Sequence, residues 1–503
     1  MTNNMRSNSD QRGARARSRI SIFLGAILLC AAGATYTAAR ATLTQLSSDP
    51  FTNSTSQHKT EVEPDTFAWG NTIVTAFQSG RFYDGGSSDV GFATSTNGGT
   101  TWTNGFLPGI TNIQGQGNPY QRDTDPSVAY DAAHGVWLIA TLPLQDGGLG
   151  VDVLVSPSTD GITWQNPVHV TGPVESSDKE WIVCDDWSGS PYYGHCYVEW
   201  DSPDEGDYVY MNTSTDGGQT WGPSMVPGSG VYGLGGQPLV QPSGNVVVPI
   251  YDYDFGGVGA FNSSNGGASW NGDVSVAAID WHPENGGIRD IDLPSAEVDG
   301  AGNIYVAWED CRFRSGCPAN DIVYSTSSDG IHWSNVNRVP IDPVTSGREH
   351  MIPGIGVDRN TSGSSALIGI TFYGYSEANC TSCQLYAGFI SSSDAGSSWS
   401  NPVILFGPMD LTWLPSTDQG YMVGDYVSTS FVGGNTVMST AFGVFAAATA
   451  NNGSAFNEAM ATHTGGFKVG QAPHVIYRTS ADVADRNMKP EHPMRPVPPP
   501  VVP

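Results

Sequence analysis

One short motif constrains this chain more than any other feature. It reads STNGGTTW up to Trp102, STDGITW up to Trp164 and STDGGQTW up to Trp221. It returns as SSNGGASW up to Trp270, SSDGIHW up to Trp333 and SSDAGSSW up to Trp399, with successive Trp 62, 57, 49, 63 and 66 residues apart. Runs such as DVGFATS, DVLVSPS, DYVYMNTS and DIVYSTS precede most copies and alternate with the period of a strand. Each copy is therefore expected as a hairpin turn. Asp or Asn caps the turn amides, Gly supplies a positive φ, and Trp packs back between sheets. One hairpin cannot bury a core by itself, so a fixed-period series implies stacked sheets. Composition agrees: 62 Gly and only 14% charged residues, against about 25% in ordinary globular chains, suit turn-rich β structure rather than helices.

The motif resembles the Asp-box, or BNR repeat, of sialidases and of the wider group of Asp-box β-propellers. That resemblance implies an all-β propeller of four-stranded blades, with the boxes on the periphery and away from the active centre. Asp160, Asp216, Asp329 and Asp394 are then structural. Inner-strand openings recur at Glu63 (EPDTFAW), Asp125 (DPSVAY), Lys179 (KEWIVC), Gln237 (QPLVQP), Leu293 (LPSAEV), Ile352 (IPGIGV) and Gly424 (GDYVSTSF). They count to seven blades, where sialidases have six; seven is favoured and six is the alternative. The segment Thr42–Asp49 offers an outer strand to the last sheet.

The domain plan follows from the two ends. Five Arg between residues 6 and 19, then the apolar run Ile20–Ala34 and small residues near Ala39 and Ala41, read as a secretory signal over residues 1–41. An uncleaved anchor is the alternative, although the run is short for a membrane span. Residues 42–478 form the propeller, and residues 479–503 a Pro-rich extended tail. A secreted protein with no membrane span after cleavage is expected. The remaining cysteines fall into neighbours, Cys184/Cys196, Cys311/Cys317 and Cys380/Cys383, which suits disulfides in an exported chain. Zinc at Cys380/Cys383 lacks a companion pair. With 21 basic against 49 acidic residues and a net charge of −28, nucleic acid is excluded as a partner.

The resemblance also implies a site: three Arg for a substrate carboxylate, an Asp acid/base, and a Tyr nucleophile beside a Glu. Guanidinium forks match a carboxylate, and a neutral Tyr attacks an anionic sugar more readily than a carboxylate does. Residues 42–477 hold eight Arg, and four of them, Arg81, Arg122, Arg289 and Arg348, follow strands or open them. These are the candidate substrate-binding residues. Asp84 is the candidate acid/base, Tyr426 the nucleophile, and Glu180 its partner, with Glu297 as the alternative. The family's first Arg is missing, since EVEPDTF puts Glu63 in its place. Asp89, Asp152, Asp207 and Asp321 recur once per repeat and read as structural caps, and Arg312 matches Arg81 in its own repeat. The expected function is a secreted sialidase-like glycoside hydrolase, monomeric, acting on a carbohydrate or glycoprotein. A non-catalytic glycan- or protein-binding propeller is the alternative, and a carboxylate pair such as Asp123/Asp292 or Asp125/Asp290 a third. No cofactor is expected. Structural calcium would suit Asp123/Asp125, Asp252/Asp254 or Asp290/Asp292, yet no complete ligand loop is present.

Overall fold

The computed structural model describes residues 42–470 apart from 116, 146–147, 436–437 and 454–455. The expected leader (1–41) and the Pro-rich tail (479–503) lie outside the described residues. Within them the chain is all-β, built of antiparallel sheets in sequence order.

The first sheet unit holds Glu61–Trp69, Thr72–Arg81, Ser87–Ser95 and Thr103–Phe106, and the second Arg122–Asp131, Val136–Leu144, Leu154–Ser158 and Val168–His169. A single pairing, Ser87 with Asp123, joins these two into one eight-stranded sheet. The third unit is Asp178–Cys184, Cys196–Ser202 and Tyr208–Ser214. In the fourth, Gly233–Leu234 and Leu239–Val240 both pair Val246–Asp252, followed by Gly257–Ser263 and Val274–Ala278. The fifth runs Ser295–Val298, Ile304–Asp310, Asp321–Ser327, Asn337–Arg338, and the sixth Glu349–Val357, Ile368–Tyr375, Gln384–Ser392, Val403–Asp410. The seventh holds Ser428–Asn435, Met438–Ala448 and Glu458–His463. Its outer edge is taken by Leu43–Gln45 from the start of the chain, as the sequence suggested.

Apolar cores lie between successive units. Val74, Phe92, Ile139 and Leu154 join the first to the second, and Leu138, Ala140, Ile182 and Val198 the second to the third. Ile73 with Val432 and Phe442 joins the first unit to the seventh. A cavity of about 770 Å³ is lined by residues from the first strand of every one of the seven units, including Asp65, Val128, Trp181, Val240, Glu297 and Ser430.

The motif turns explain this stacking. In STDGITW, Ser158 Oγ accepts the Gly161 N–H at 2.9 Å, while Asp160 Oδ1 accepts the amides of Ile162 and Thr163 at 2.8 and 2.6 Å. These donors hold the Asp160 carboxyl down at about 2. Box tryptophans then reach back to the preceding unit: Trp164 packs on Phe92, Trp270 on Tyr197 and Trp399 on Tyr324. The first box has no predecessor in sequence, and its Trp102 packs on Phe442 of the seventh unit, ring centroids 6.3 Å apart. The same logic fixes the glycines. Gly98 and Gly99 both have positive φ, 67° and 77°, but only Gly99 is pressed against the Phe442 ring; a Cβ on Gly98 would meet nothing within 4 Å.

Three disulfides, Cys184–Cys196, Cys311–Cys317 and Cys380–Cys383, join the neighbours expected from the sequence. They fit maturation in an oxidising, extracytoplasmic compartment. No helix among the described residues is long and apolar enough to cross a membrane.

The glycine pair gives a test of the contact between first and last units. Gly98→Ala should cost roughly 1 kcal/mol from the left-handed backbone alone. Gly99→Ala should cost that plus about 1–3 kcal/mol of overpacking against Phe442. Urea unfolding midpoints compare the two, and equal losses would mean that the first box does not hold the ends of the repeat together.

Candidate functional site

The site begins with strained strand openings. In four units the first strand carries an irregularity of register, and at that point a non-glycine residue has positive φ: Glu63 (56°), Asp125 (47°), Lys179 (50°) and Ile352 (50°). Such a bulge re-aims the side chain of the residue it contains, at a local cost of about 1–3 kcal/mol. Three of the four converge on one buried hub. Lys179 Nζ lies 2.6 Å from Asp425 Oδ2, 3.0 Å from Asp125 Oδ2 and 3.8 Å from Glu63 Oε1. Arg289 forks onto the same Asp425, Nε to Oδ1 at 2.6 Å and Nη2 to Oδ2. The backbone N–H of Asp425 donates to Glu63 Oε1 at 3.0 Å.

Electrostatics sort these acids. Burial alone would raise the Asp425 carboxyl, but Arg289 and Lys179 hold it well below the usual carboxylate range. Asp125 is likewise lowered, burial being outweighed by Lys179 and by the Thr124 hydroxyl. Glu63 goes the other way: burial first, then Asp125 and Asp425, push it up to about 8. At neutral pH Glu63 is therefore the member of the hub that keeps its proton.

Beside the hub opens a cleft of about 100 Å³ lined by Arg81, Asp84, Asp178, Asp207, Tyr253 and Arg289, among others. Arg81, the last residue of Thr72–Arg81, donates from Nη1 to the Gly86 carbonyl at 2.8 Å and from Nε to Met422 Sδ at 3.1 Å. Among the described residues no carboxylate lies within ion-pair distance of it, and its Nη2 makes no hydrogen bond. On another wall, the Tyr253 hydroxyl donates to Asp207 Oδ2 at 2.6 Å. Burial, then Asp207, raises the Tyr253 phenol, and burial raises the Asp207 carboxyl. Asp178 is pushed up to about 6 by burial, with Lys179 opposing and Asp125 adding to the shift.

Of the residues expected from sequence, Arg81, Arg289 and Asp84 share this cleft. Asp84 is paired with Arg122 at 2.7 Å, its side chain half exposed, and Arg122 lies over the Phe82 ring at 4.2 Å. Arg122 thus reaches the cleft through Asp84. Tyr426 does not line the cleft: it is buried, donates to the Pro126 carbonyl at 3.1 Å and meets the Trp181 ring edge-on at 5.0 Å. Glu180 is buried nearby, and its charge helps to raise the Tyr426 phenol after burial, Glu63 and Asp125. Glu297 lines the large cavity instead. Arg348 is exposed on the surface and lines neither cavity. Arg312 forks onto Asp310 within its own sheet, unlike its counterpart Arg81.

Sequence reasoning missed two features. Asp207 shares a repeat position with Asp89, Asp152 and Asp321, and that made it look like scaffold. Asp89 is held by Gln114, Asp321 by Arg314, and Asp152 by His169 and the Tyr120 hydroxyl, whereas the tyrosine that holds Asp207 lines the cleft. Lys179 was placed at a strand opening, but its role as the hub's cation was missed; its being one of only four Lys in the chain was a usable signal.

No protein-family profile matches this chain, and no curated protein sequence matches it. Solved structures that resemble it include a protein of unknown function from Dyadobacter fermentans DSM 18053 (TM-score 0.42, 13% identity, 85% of this chain and 98% of that one). They also include a PL25 ulvan lyase (0.46, 11%, 88% and 98%) and the Hadza microbial sialidase Hz136 (0.43, 12%, 81% and 66%).

The hub predicts a pH signature in stability. Glu63 keeps in the folded state a proton that the unfolded chain releases, so its contribution is lost as pH rises from about 4.5 towards about 8. Glu63→Gln should flatten the fall in urea midpoint across that window. Asp425 has the opposite sign: its contribution is present above its unfolded value and lost as pH falls below about 4. Lys179→Met should cost roughly 3–5 kcal/mol near neutrality by stranding Asp125 and Asp425, and less in acid. Unchanged profiles in both variants would remove the hub from the energetics.

Proposed function

We propose that the chain is a secreted, seven-bladed Asp-box β-propeller that hydrolyses terminal acidic sugars, as an exo-sialidase-type glycoside hydrolase. The architecture is supported by the seven first strands around one cavity and by the Trp102–Phe442 contact between first and last units. The activity rests on one observation: a tyrosine–carboxylate pair, Tyr253–Asp207, shares a cleft with the unmatched guanidinium of Arg81.

In this reading the substrate carboxylate takes the free edge of Arg81, with the positive charge of Arg289 behind it. The Tyr253 oxygen attacks the anomeric carbon as its proton passes to Asp207. The bond from that carbon to the leaving oxygen breaks, and Asp178 supplies the proton the departing group needs. Asp178 then takes a proton from water, which attacks the same carbon and releases Tyr253; Asp207 returns the proton to the phenolate. Asp178 suits the acid role better than Asp84, because burial keeps its proton up to about pH 6 while Asp84 is ion-paired to Arg122. Two displacements at one carbon retain its configuration.

A second reading, glycan binding without hydrolysis, is favoured by one feature: both donor nitrogens that Arg289 turns to its partner are spent on Asp425. One assay separates the two. A fluorogenic sialoside should be turned over by the native chain, with Tyr253→Phe lowering kcat by about 10²–10⁴-fold. Arg81→Ala should act mainly on KM. The rate should decline as pH rises through about 6, and Asp178→Asn should abolish that limb. Absence of turnover on a panel of acidic glycosides, with binding on a glycan array, would replace hydrolysis by recognition.

A further inference from the structure

A second group of acids lies away from Tyr253 and Asp207. The segment between the fourth and fifth sheet units carries Glu284, Asp290 and Asp292, and Glu309 comes from Ile304–Asp310 of the fifth. One carboxylate oxygen each from Glu284, Asp290 and Glu309 lie within 4.8 Å of one another. Asp292 belongs to the same group, within hydrogen-bonding reach of Glu309. Asp290, Asp292 and Glu309 are 7%, 3% and 1% exposed. Packing carboxylates together away from water is strongly unfavourable unless they are neutralised.

Two observations point to what neutralises them. Apart from Asp292, itself an acid, neither oxygen of Glu309 has a hydrogen-bond partner among the described residues, although the side chain is sealed from solvent. The Tyr375 hydroxyl, from the end of Ile368–Tyr375 in the sixth unit, is also buried without a hydrogen-bond partner. After burial, Asp290 and Glu284 are the charges that most raise that phenol, so it faces the same acids. Around the group there is supporting structure: Asn320 Nδ2 donates to Glu284 Oε1 at 2.7 Å and to the His282 carbonyl at 2.8 Å. That is how an outer shell orients a metal-binding carboxylate.

We propose that Glu284, Asp290, Asp292 and Glu309 bind a calcium ion, with the Tyr375 hydroxyl turned towards it. The donors are all hard oxygens, from side chains that reach in from two parts of the chain. Oxygens up to 4.8 Å apart fit around one ion at about 2.4 Å each, inside the calcium range and beyond the 2.0–2.1 Å that magnesium demands. None of the four carboxylate donors is the His nitrogen or Cys sulfur that zinc sites usually carry. The ion also has a mechanical role. Asp290 follows Arg289, whose backbone N–H donates to the Tyr421 carbonyl at 2.7 Å and whose guanidinium grips Asp425. Calcium at Asp290 and Asp292 fixes the segment that delivers Arg289 to the cleft.

The test needs no substrate, so its outcome is independent of whether the cleft is catalytic. The full chain is stripped with EDTA and titrated with calcium chloride by calorimetry and thermal unfolding. One equivalent of calcium should bind, raise Tm by several degrees, and be reversed by EDTA. Glu309→Gln and Asp292→Asn should lose the calcium response yet match or exceed the native Tm in EDTA, because one carboxyl of a crowded buried group is gone. Tyr375→Phe keeps the fold and should weaken affinity several-fold. The proposal is overturned if the native chain shows neither heat nor a Tm shift at millimolar calcium. It is equally overturned if magnesium acts as well as calcium, or if the Glu309 and Asp292 variants keep the native response. A Tm that depends on pH and not on calcium would mean that Glu309 and Asp292 share a proton instead.

Discussion

The buried ammonium of Lys179 is the contact on which the rest of this molecule turns. Taking a lysine out of water costs several kcal/mol, and only excellent geometry compensates. Here Asp125 and Asp425 supply it at 3.0 and 2.6 Å, with Glu63 held further off. Those acids come from the first and second sheet units and from the approach to the seventh, while Lys179 opens the third. The ion cluster is therefore a tie between units distant in sequence. It also accounts for backbone strain at Glu63, Asp125 and Lys179: each left-handed residue turns its side chain inward at the point where its strand begins.

The parts of this fold legible in the sequence are those set by local chemistry. Ser158 and Asp160 close their turn with neighbours fewer than six residues away, so the box could be read directly. The disulfides join cysteines 12, 6 and 3 residues apart, and they too were visible. The outer strand at Leu43–Gln45 was legible by a different route, since a sheet series with a short last member needs an edge supplied from elsewhere.

What stayed hidden depends on pairings between loops of different units. Tyr253 meets Asp207 across 46 residues, and Arg289 meets Asp425 across 136. Nothing in the spacing of either pair announces the contact. The repeat itself misled at Asp207, because a shared register position implies a shared backbone role and says nothing about which side chain arrives from the next unit. Glu63 was legible as an anomaly but not in its meaning. It stands where a resemblance would put an arginine, and here it accepts the Asp425 amide and retains its proton.

The shortage of basic residues ties these observations together. Burial lifts Glu180, Glu199, Asp201, Glu309 and Glu458 far above ordinary carboxylate values, and with 21 basic residues against 49 acidic the chain cannot give each acid a cation. Three solutions remain: keep the proton, share one of the few cations, or recruit a cation from solution. Glu63 illustrates the first and Asp425 the second. The group around Glu309 has the geometry for the third. Arg289 stands where all three meet, its guanidinium on Asp425, its charge felt by Glu63, and its neighbour Asp290 among the acids that face Tyr375. Whatever fixes that short segment fixes the positive side of the cleft, so in this chain the placing of scarce cations is the structural problem that the strained strand openings solve.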